Sequence, residues 1–400
     1  MRAVFKPGRL CGNISAPPSK SMAHRYLLGA ALTGEKCVLS GVDYSEDILA
    51  TMDCLAALGA KITADGDKVT VNADKLVVSD GARLNCRESG STLRFLIPLA
   101  LCLGKPVTFC GSKRLFERPQ SVYADLCAER GFDFEVGEGT LTVCGRLESG
   151  NYKIRGDVSS QFISGLIFAL VYLGDKASVE IIPPFESKPY VDLTLEALRA
   201  FGADVHFADE YKIEIKPSKL RAYSARIEGD YSNAAFLDAF NCIGSEVNVC
   251  GLRADSLQGD RVYREYFEKI MGGTPTLDVS NCPDLAPILI ALASLKNGAV
   301  LTGTGRLAVK ESDRGSAMHE ELVKLGGSLE FGENSITVPK QNLAYGGKAL
   351  YGHNDHRIVM AMSVILSHIG GEIDGIEAVK KSYPRFFEDI KILGAEVEIK

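Results

Sequence analysis

Seven cations stand beside or just after short polar runs that read as helix starts: Lys20, Arg25, Arg94, Lys310, Arg314, Arg357 and Lys381. The runs are Ser19-Lys20-Ser21, Ser89-Gly90-Ser91-Thr92, Ser159-Ser160-Gln161, Asp230-Tyr231-Ser232-Asn233, Pro283-Asp284 and Asn354-Asp355-His356-Arg357. Ser, Thr, Asp and Asn in such places are ordinary helix caps. Capping does not explain the cations. A helix start offers unpaired N–H groups and the positive end of its dipole, so cations gathered there describe surfaces that bind anions. Glu117-Arg118-Pro119 reads either as a surface turn before a helix near Val122, or as an Arg fork for a phosphate or carboxylate. Val309-Lys310-Glu311-Ser312-Asp313-Arg314 is either a cap with surface ion pairs or a proton-handling Glu311 tuned by charged neighbours. His353 and His356 with Asp355 have a metal-like spacing, but no third Cys/His/Glu cluster lies in sequence reach, so no metal is expected. Neither a Gly-x-x-x-x-Gly-Lys-Ser/Thr phosphate loop nor a Gly-x-Ser-x-Gly elbow occurs.

The elements that must carry these residues repeat. Each polar run opens an apolar stretch: Met22–Leu32, Thr92–Leu103, Phe162–Leu173, Ala234–Ile243, Leu285–Leu295 and Ile358–Ile369. Most are apolar nearly all round, which predicts buried helices. Pro98 inside the second predicts a kink or an altered hydrogen bond. Gly34, Gly104, Gly174, Gly244, Gly298 and Gly370 follow as stops. A short β-branched strand comes next, such as Val247-Asn248-Val249, then an amphipathic helix ending in a Leu-Gly-Ala-like turn, as at Gly59-Ala60, Gly202-Ala203 and Gly394-Ala395. A β-hairpin closes the unit, for example Lys61–Thr63 and Val69–Val71 around Asp65-Gly66-Asp67. Six units spaced by about 70 residues, one of them shorter, are a repeat architecture. They predict two similar domains of three units, with crossovers near Asn13–Pro18 and Arg226–Asp230.

Composition narrows the classes. The chain has 400 residues, 46% apolar and 24% charged, with a net charge of −6. Anions must therefore be held by locally gathered Lys and Arg, not by the overall field. No basic tail or basic-aromatic stripe suggests nucleic acid, and no signal-peptide core or membrane-length apolar run is present. Eleven Cys without a Cys-x-x-Cys pair fit reduced core thiols, so a cytoplasmic protein is expected.

The motifs Pro18-Ser19-Lys20-Ser21 with Arg25, Gly90-Ser91-Thr92-Leu93-Arg94, Glu117-Arg118-Pro119, Val158–Phe162, Ser187–Tyr190, Pro283-Asp284, Lys310–Arg314 and Asp355-His356-Arg357 together resemble the enolpyruvyl transferases, and among them the EPSP synthases. The resemblance runs from Pro18 to Pro384 in the family's order. It implies a two-domain inside-out α/β barrel of six βαβαββ units, three per domain, with helices inside and sheets outside. One domain (1–17 plus 229–400) would contain both chain ends. The other (18–228) would be inserted, with the active site in the cleft between them. The implied reaction moves the enolpyruvyl group of phosphoenolpyruvate to the 5-hydroxyl of shikimate 3-phosphate and releases phosphate. Residue by residue, the resemblance implies Lys20, Ser21, Arg25, Ser159, Ser160, Gln161, Ser187, Asp284 and Lys310 for shikimate 3-phosphate. For phosphoenolpyruvate it implies Lys20, Gly90, Arg118, Gln161, Arg314, Arg357 and Lys381. Asp284, Glu311 and Lys20 would handle protons. No cofactor or metal is implied, and a monomer is expected. Arg306 stands where many members have Asn, and Ser91 and Phe95 where some have Thr and Pro.

Three rivals remain. The sister enzyme acting on UDP-N-acetylglucosamine resembles the chain in fold, but typically has Lys-Asn for Lys20-Ser21 and a loop Cys before its Arg-Pro. Lys113–Glu117 contains no Cys. An RNA-end-processing cyclase would need a nucleotide site and a catalytic His. A non-catalytic anion-binding relative would share the cations, and the intact Asp284 and Glu311 speak against it.

Overall fold

Five of the six polar runs cap their helices through a side chain. In the computed structural model, which describes residues 1–400, Ser19 accepts from the Met22 N–H, Ser89 from Thr92, Ser159 from Gln161, Asp230 from Asn233 and Asp355 from Arg357. The fifth run differs. Pro283–Leu285 is a 3-10 turn leading into the helix, and Asp284 makes no cap there, which leaves its carboxylate for other partners.

The chain opens with β1 (Arg2–Phe5) and β2 (Cys11–Ser15). The first repeat follows as α1 (Lys20–Leu32), β3 (Lys36–Ser40), α2 (Glu46–Ala57), β4 (Lys61–Asp65) and β5 (Lys68–Asn72). The second is β6 (Arg83–Arg87), α3 (Gly90–Cys102), β7 (Val107–Gly111), α4 (Lys113–Glu117), α5 (Ser121–Arg130), β8 (Asp133–Gly137) and β9 (Thr140–Cys144). The third is β10 (Asn151–Arg155), α6 (Ser160–Leu173), β11 (Ala177–Ile182), α7 (Lys188–Ala200), β12 (Asp204–Phe207) and β13 (Lys212–Lys216), with β14 (Ala225–Arg226) after it. Next come α8 (Tyr231–Cys242), β15 (Glu246–Cys250) and α9 (Tyr263–Gly272). The fifth repeat is β16 (Thr276–Asp278), α10 (Ala286–Leu295), β17 (Ala299–Thr302), α11 (Arg314–Lys324), β18 (Glu330–Phe331) and β19 (Ser335–Val338). The last is β20 (Leu350–Tyr351), α12 (His356–Ile369), β21 (Gly371–Asp374), α13 (Phe386–Ile392) and β22 (Val397–Ile399).

Helices α1, α3, α6, α8 and α12 begin two or three residues before their predicted starts, because the polar residues themselves form the first turn. The six stop glycines all have positive φ, from 69° at Gly104 to 100° at Gly244, where a side chain would be strained. Helix α3 runs through Pro98 without interruption.

The chain divides into two compact units, Met1–Pro17 with Gly229–Lys400, and Pro18–Glu228. Each has its own apolar core. The unit Pro18–Glu228 holds three four-stranded sheets, β14-β3-β5-β4, β6-β7-β9-β8 and β10-β11-β13-β12. Its helices α1, α3 and α6 are buried almost throughout, while the strands alternate buried and exposed residues. Helices inside and sheets outside are therefore the arrangement within this unit. Gly165 lets α6 approach α3: a Cβ there would lie 2.2 Å from the Arg94 carbonyl oxygen. The Tyr123 hydroxyl, 2.9 Å from the Arg94 carbonyl and 2.7 Å from that of Phe162, joins the same two helices.

The unit with both termini holds β16-β17-β19-β18, β20-β21-β1-β22 and a sheet of only two strands, β15-β2. The start of the chain thus completes the last repeat. The fourth repeat carries no hairpin, against the expectation of one in every unit: α9 leads straight to β16. The edge of β15 that a hairpin would cover is closed at Val247 by one side chain. Val247 N–H donates to Asn241 Oδ1 (2.7 Å), and its C=O accepts from Asn241 Nδ2 (2.8 Å). No helix of the chain is long and apolar enough to cross a membrane.

Asn241 therefore does locally what a strand does elsewhere. Asn241→Ala is expected to speed hydrogen exchange at the Val247 amide by about tenfold, the equivalent of one lost hydrogen bond. Exchange at Val247 that stays as slow as before would contradict this role.

Candidate active site

A helix buried along its length can meet a solute only at its ends, and the charged residues lie there. In the unit Pro18–Glu228, α1 supplies Lys20, Ser21 and Arg25. The Lys20 ammonium donates to Asp47 Oδ2 at the start of α2 (2.7 Å). Arg25 is buried and fully engaged with neutral groups: Nε donates to Thr194 Oγ1 (2.8 Å), Nη1 to the Ser21 carbonyl (2.7 Å) and Nη2 to the Tyr190 carbonyl (2.7 Å). Burial pulls its guanidinium down to about 10, still charged at neutral pH. Its guanidinium also lies 5.3 Å from the centre of the Phe95 ring.

The starts of α3 and α6 are joined by side chains. Gln161 donates through Nε2 to Ser91 Oγ (2.9 Å) and accepts at Oε1 from Arg94 Nη1 (2.7 Å). Arg94 also donates to the Pro119 carbonyl (3.2 Å), which ties down the Glu117-Arg118-Pro119 loop. Arg118 is buried, not a surface residue, and its guanidinium lies against Gly90. A Cβ at Gly90 would stand 2.7 Å from Arg118 Nη1, so the guanidinium occupies room that glycine leaves at this helix start. Ser187, buried with φ 55°, precedes α7 and bonds through its carbonyl to the Tyr190 N–H, near Arg25. Ser159 caps α6, and Ser160 is buried in its first turn. Of the residues expected in this unit, the structure links Ser21 with Arg25, Gly90 with Arg118, and Ser159 with Gln161 through the helix cap.

In the unit with both termini, three cations surround Asp284. Arg314 Nη1 donates to Oδ1 (2.7 Å), Lys310 Nζ to Oδ1 (3.4 Å) and Arg357 Nη2 to Oδ2 (3.3 Å). Burial pushes this carboxyl toward its neutral form, but Lys310, Arg314 and Arg357 prevail and hold it well below the usual carboxylate range. Behind it, Asp355 has two tasks. Oδ1 caps α12 at the Arg357 N–H (2.9 Å), while Oδ2 accepts from Arg314 Nε (2.9 Å) and Ser312 Oγ (3.1 Å). Burial opposes ionisation of Asp355 too, and Arg314 reverses that. Glu311 meets His356 (Oε2 to Nδ1, 3.0 Å). Lys381 donates to the Asn354 carbonyl, beside Asp355. Arg357 reaches Asn233 Oδ1 (3.2 Å), while its buried Nε has no protein partner. Of the six expected residues of this unit, Lys310, Arg314 and Arg357 are joined directly at Asp284, while Glu311 and Lys381 bond to His356 and to the Asn354 carbonyl, the chain neighbours of Asp355.

The structure also supplies a third group beside the His356 motif, Glu311, which the local sequence lacks. Glu311, Asp355 and His356 come within 4.8 Å of one another, as do Glu320, Glu321 and His353. Both sets have organic partners: Arg314 and Ser312 fill Asp355 Oδ2, and Lys324 donates to both oxygens of Glu321. Sequence reasoning gave Asp47 no role, and it read Asn233 only as part of a helix start. It gave Asp355, Arg94 and His356 no individual role beyond the helix starts, the gathered cations and the metal-like spacing.

A profile of the EPSP synthase (3-phosphoshikimate 1-carboxyvinyltransferase) family matches residues 4–390. The 3-phosphoshikimate 1-carboxyvinyltransferase of Clostridium kluyveri is 39% identical, over 98% of this chain and 97% of the relative. That of Clostridium perfringens is 36% identical, over 98% of both. Among solved structures, an EPSP synthase of Acinetobacter baumannii superposes with a TM-score of 0.80 at 24% identity, covering 100% of this chain and 99% of the other. The enolpyruvyl transferase NikO of Streptomyces tendae gives 0.75 at 15% identity, with 99% and 98% covered. The chain belongs to the EPSP synthase family.

The ion cluster has a pH signature. A carboxyl whose folded pKa is depressed stabilises the fold above its unfolded pKa, near 3.9 for Asp, and that contribution is lost as pH falls through the folded value. The melting-temperature gap between the wild type and Asp284→Asn should stay level from pH 7 to about 5, then narrow only on further acidification. A gap that closes between pH 7 and 5 would show that Asp284 is not held down by its cations.

Proposed function

We propose that both sets of helix-start residues serve one reaction: transfer of the enolpyruvyl group of phosphoenolpyruvate to the 5-hydroxyl of shikimate 3-phosphate, with release of phosphate. The observation that carries the reading is Asp284 within three cations, next to the Glu311–His356 pair, in a chain of the EPSP synthase family. Both substrates are anions, and cations gathered at helix starts suit anions. Arg118 at Gly90 with Gln161 and Lys20 suits phosphoenolpyruvate. Arg314, Arg357 and Lys381 suit its charges too. Ser21, Arg25, Ser159, Ser160, Ser187, Asp284 and Lys310 suit shikimate 3-phosphate, with Lys20 and Gln161 shared between the two substrates. The protein acts alone on these small molecules, as a cytoplasmic monomer.

Each half of the chemistry, addition and elimination, needs one proton given and one proton taken. The methylene carbon of phosphoenolpyruvate gains a proton, so its C2 becomes cation-like. The 5-hydroxyl oxygen bonds to C2 and loses its proton. The C2–O bond to the phosphate then breaks, the leaving phosphate oxygen takes the electron pair and the proton that the hydroxyl gave up, and the new methyl group returns the proton that the methylene gained, leaving the enol ether. A carboxylate as depressed as Asp284 is a poor base while Lys310, Arg314 and Arg357 are turned on it. Substrate phosphates and carboxylates draw those cations away, and Asp284 then regains basicity beside the hydroxyl. Its negative charge also steadies the cation-like C2. Glu311, held by His356, and Lys20 are left for the methylene proton.

Phosphate release should depend on shikimate 3-phosphate, fail with UDP-N-acetylglucosamine and persist in EDTA. Release with the UDP-sugar alone, or loss of activity on chelation, would overturn the reading. Glu311→Gln and Asp284→Asn should each lower kcat by roughly 10²–10⁴, the range of lost acid–base catalysis. In Asp284→Asn the KM for phosphoenolpyruvate should not rise, because the cations lose an internal competitor. Steady-state kinetics with near-normal kcat in both variants would show the proton carriers to be other groups.

A further inference from the structure

A buried polar chain under the start of α3 has no part in the chemistry above. His24 lies one turn along α1 from Lys20, is 1% exposed, and approaches Thr51 Oγ1 of α2 through Nδ1 (2.7 Å). Thr51 Oγ1 is 2.7 Å from Thr92 Oγ1 of α3. Thr92 Oγ1 donates to Ser89 Oγ (2.7 Å), the oxygen that also caps α3 by accepting from the Thr92 N–H (3.2 Å). Thr51, Thr92 and Ser89 are each 0% exposed. A hydroxyl has one proton to give. Thr92 Oγ1 has two acceptors for its one proton, Ser89 Oγ (2.7 Å) and, more distant, the Asp47 carbonyl (3.5 Å); with the proton on either, Thr51 gives its own to Thr92 and His24 donates through Nδ1–H to Thr51. His24 is then the neutral Nδ1–H tautomer. Burial, with Lys20 and Arg25 nearby, keeps it uncharged. Its Nε2 is buried without a partner, as that tautomer's bare lone pair.

We propose that His24 is a positioning residue for the phosphoenolpyruvate site, acting through Thr51 and Thr92 on the cap Ser89. The inference rests on the reading of function above. The chain ties α1, α2 and α3 together one residue before Gly90. There the Arg118 guanidinium lies against Gly90, closer than a Cβ would allow, so the placement of Ser89 and Gly90 helps to set where that guanidinium rests. The Arg25 contacts run to Thr194, Ser21 and Tyr190 and do not pass through this chain. Loss of the chain should therefore weaken phosphoenolpyruvate selectively.

Thr51→Val keeps the shape and removes the hydroxyl, whereas Thr51→Ser keeps the hydroxyl and removes a methyl. The Val variant should raise the KM for phosphoenolpyruvate by about tenfold, the equivalent of one lost buried hydrogen bond. Its kcat and its KM for shikimate 3-phosphate should stay within about twofold, and the Ser variant should restore the wild-type value. An unchanged KM, equal rises for both substrates, or a Ser variant as impaired as Val would overturn the proposal. Nitrogen-15 NMR of imidazole-labelled wild type gives a second readout that needs no variant to fold. His24 should show a protonated Nδ1 and a bare Nε2, and its signals should move when phosphoenolpyruvate is added with shikimate 3-phosphate. A protonated Nε2, or signals indifferent to the substrate, would sink the relay. A wild type that releases no phosphate would overturn the functional reading instead, and the tautomer would still test the direction of the chain.

Discussion

Six helices buried nearly all round are the constraint from which the rest follows. Such a helix has no solvent face on which to carry polar chemistry, and its middle turns are mostly apolar, with the few buried polar groups bonded inside the protein, as Ser363 is to the Val359 carbonyl. Its first turn still has N–H groups that need acceptors. Capping oxygens satisfy some of them, and a bound anion can satisfy others. The same place therefore carries the cap, the dipole and the cations. The repeat makes this arrangement several times over, and the residues of interest sit at Lys20, Gly90, Ser160, Asp284 and Arg357, near the starts of five different helices.

Cations placed there must be kept in position before any substrate arrives. The two units do this differently. In Pro18–Glu228, Arg25 and Arg94 are held mainly by carbonyl and amide oxygens and by aromatic faces, so their charge is oriented without being neutralised. Lys20, on Asp47, is the exception. In the unit with both termini, Arg314 is held by two carboxylates and Arg357 and Lys310 by one of them. Asp355 is buried and has a cap to maintain, so it stays in place when charges change. Asp284 is partly accessible and caps nothing. It is the carboxylate free to change partners, which is what a group that moves protons requires. The break in the capping pattern at the fifth repeat and the chemistry assigned to Asp284 are one fact.

Much of this was legible in the sequence, for a reason that also marks where legibility stops. Periodicity exposes elements and glycine stops, so the six apolar helices and their ends could be read, with starts misplaced because Lys20, Gly90, Ser160 and His356 look like loop residues. Motif order exposed the residues that face substrate. Groups that hold those residues carry no such signature. Asp47 is paired with Lys20 across 27 positions, Asn233 with Arg357 across 124, and Thr51 is one more Thr in an amphipathic helix. Their roles exist only once the repeats have brought separate helix starts together. Asp355 and His356 were in plain view, but capping accounted for the first and nothing local required Glu311 beside the second.

The fourth repeat shows which parts of a unit the chemistry needs. It has no hairpin like those that complete the sheets of the first, second, third and fifth repeats, and β15 is paired only with β2. Its helix start is intact: Asp230 still caps α8, and Asn233 in the first turn still reaches both Arg357 and Ser382. The hairpin lies on the outer layer, where its removal exposes an edge, and an exposed edge is a liability because its open N–H and C=O groups invite another strand. Asn241 closes that edge at Val247 with two hydrogen bonds from a single side chain. The outer sheet can therefore be shortened with a local repair, whereas the inner helix start cannot, since Asn233 helps to hold the guanidinium that faces Asp284.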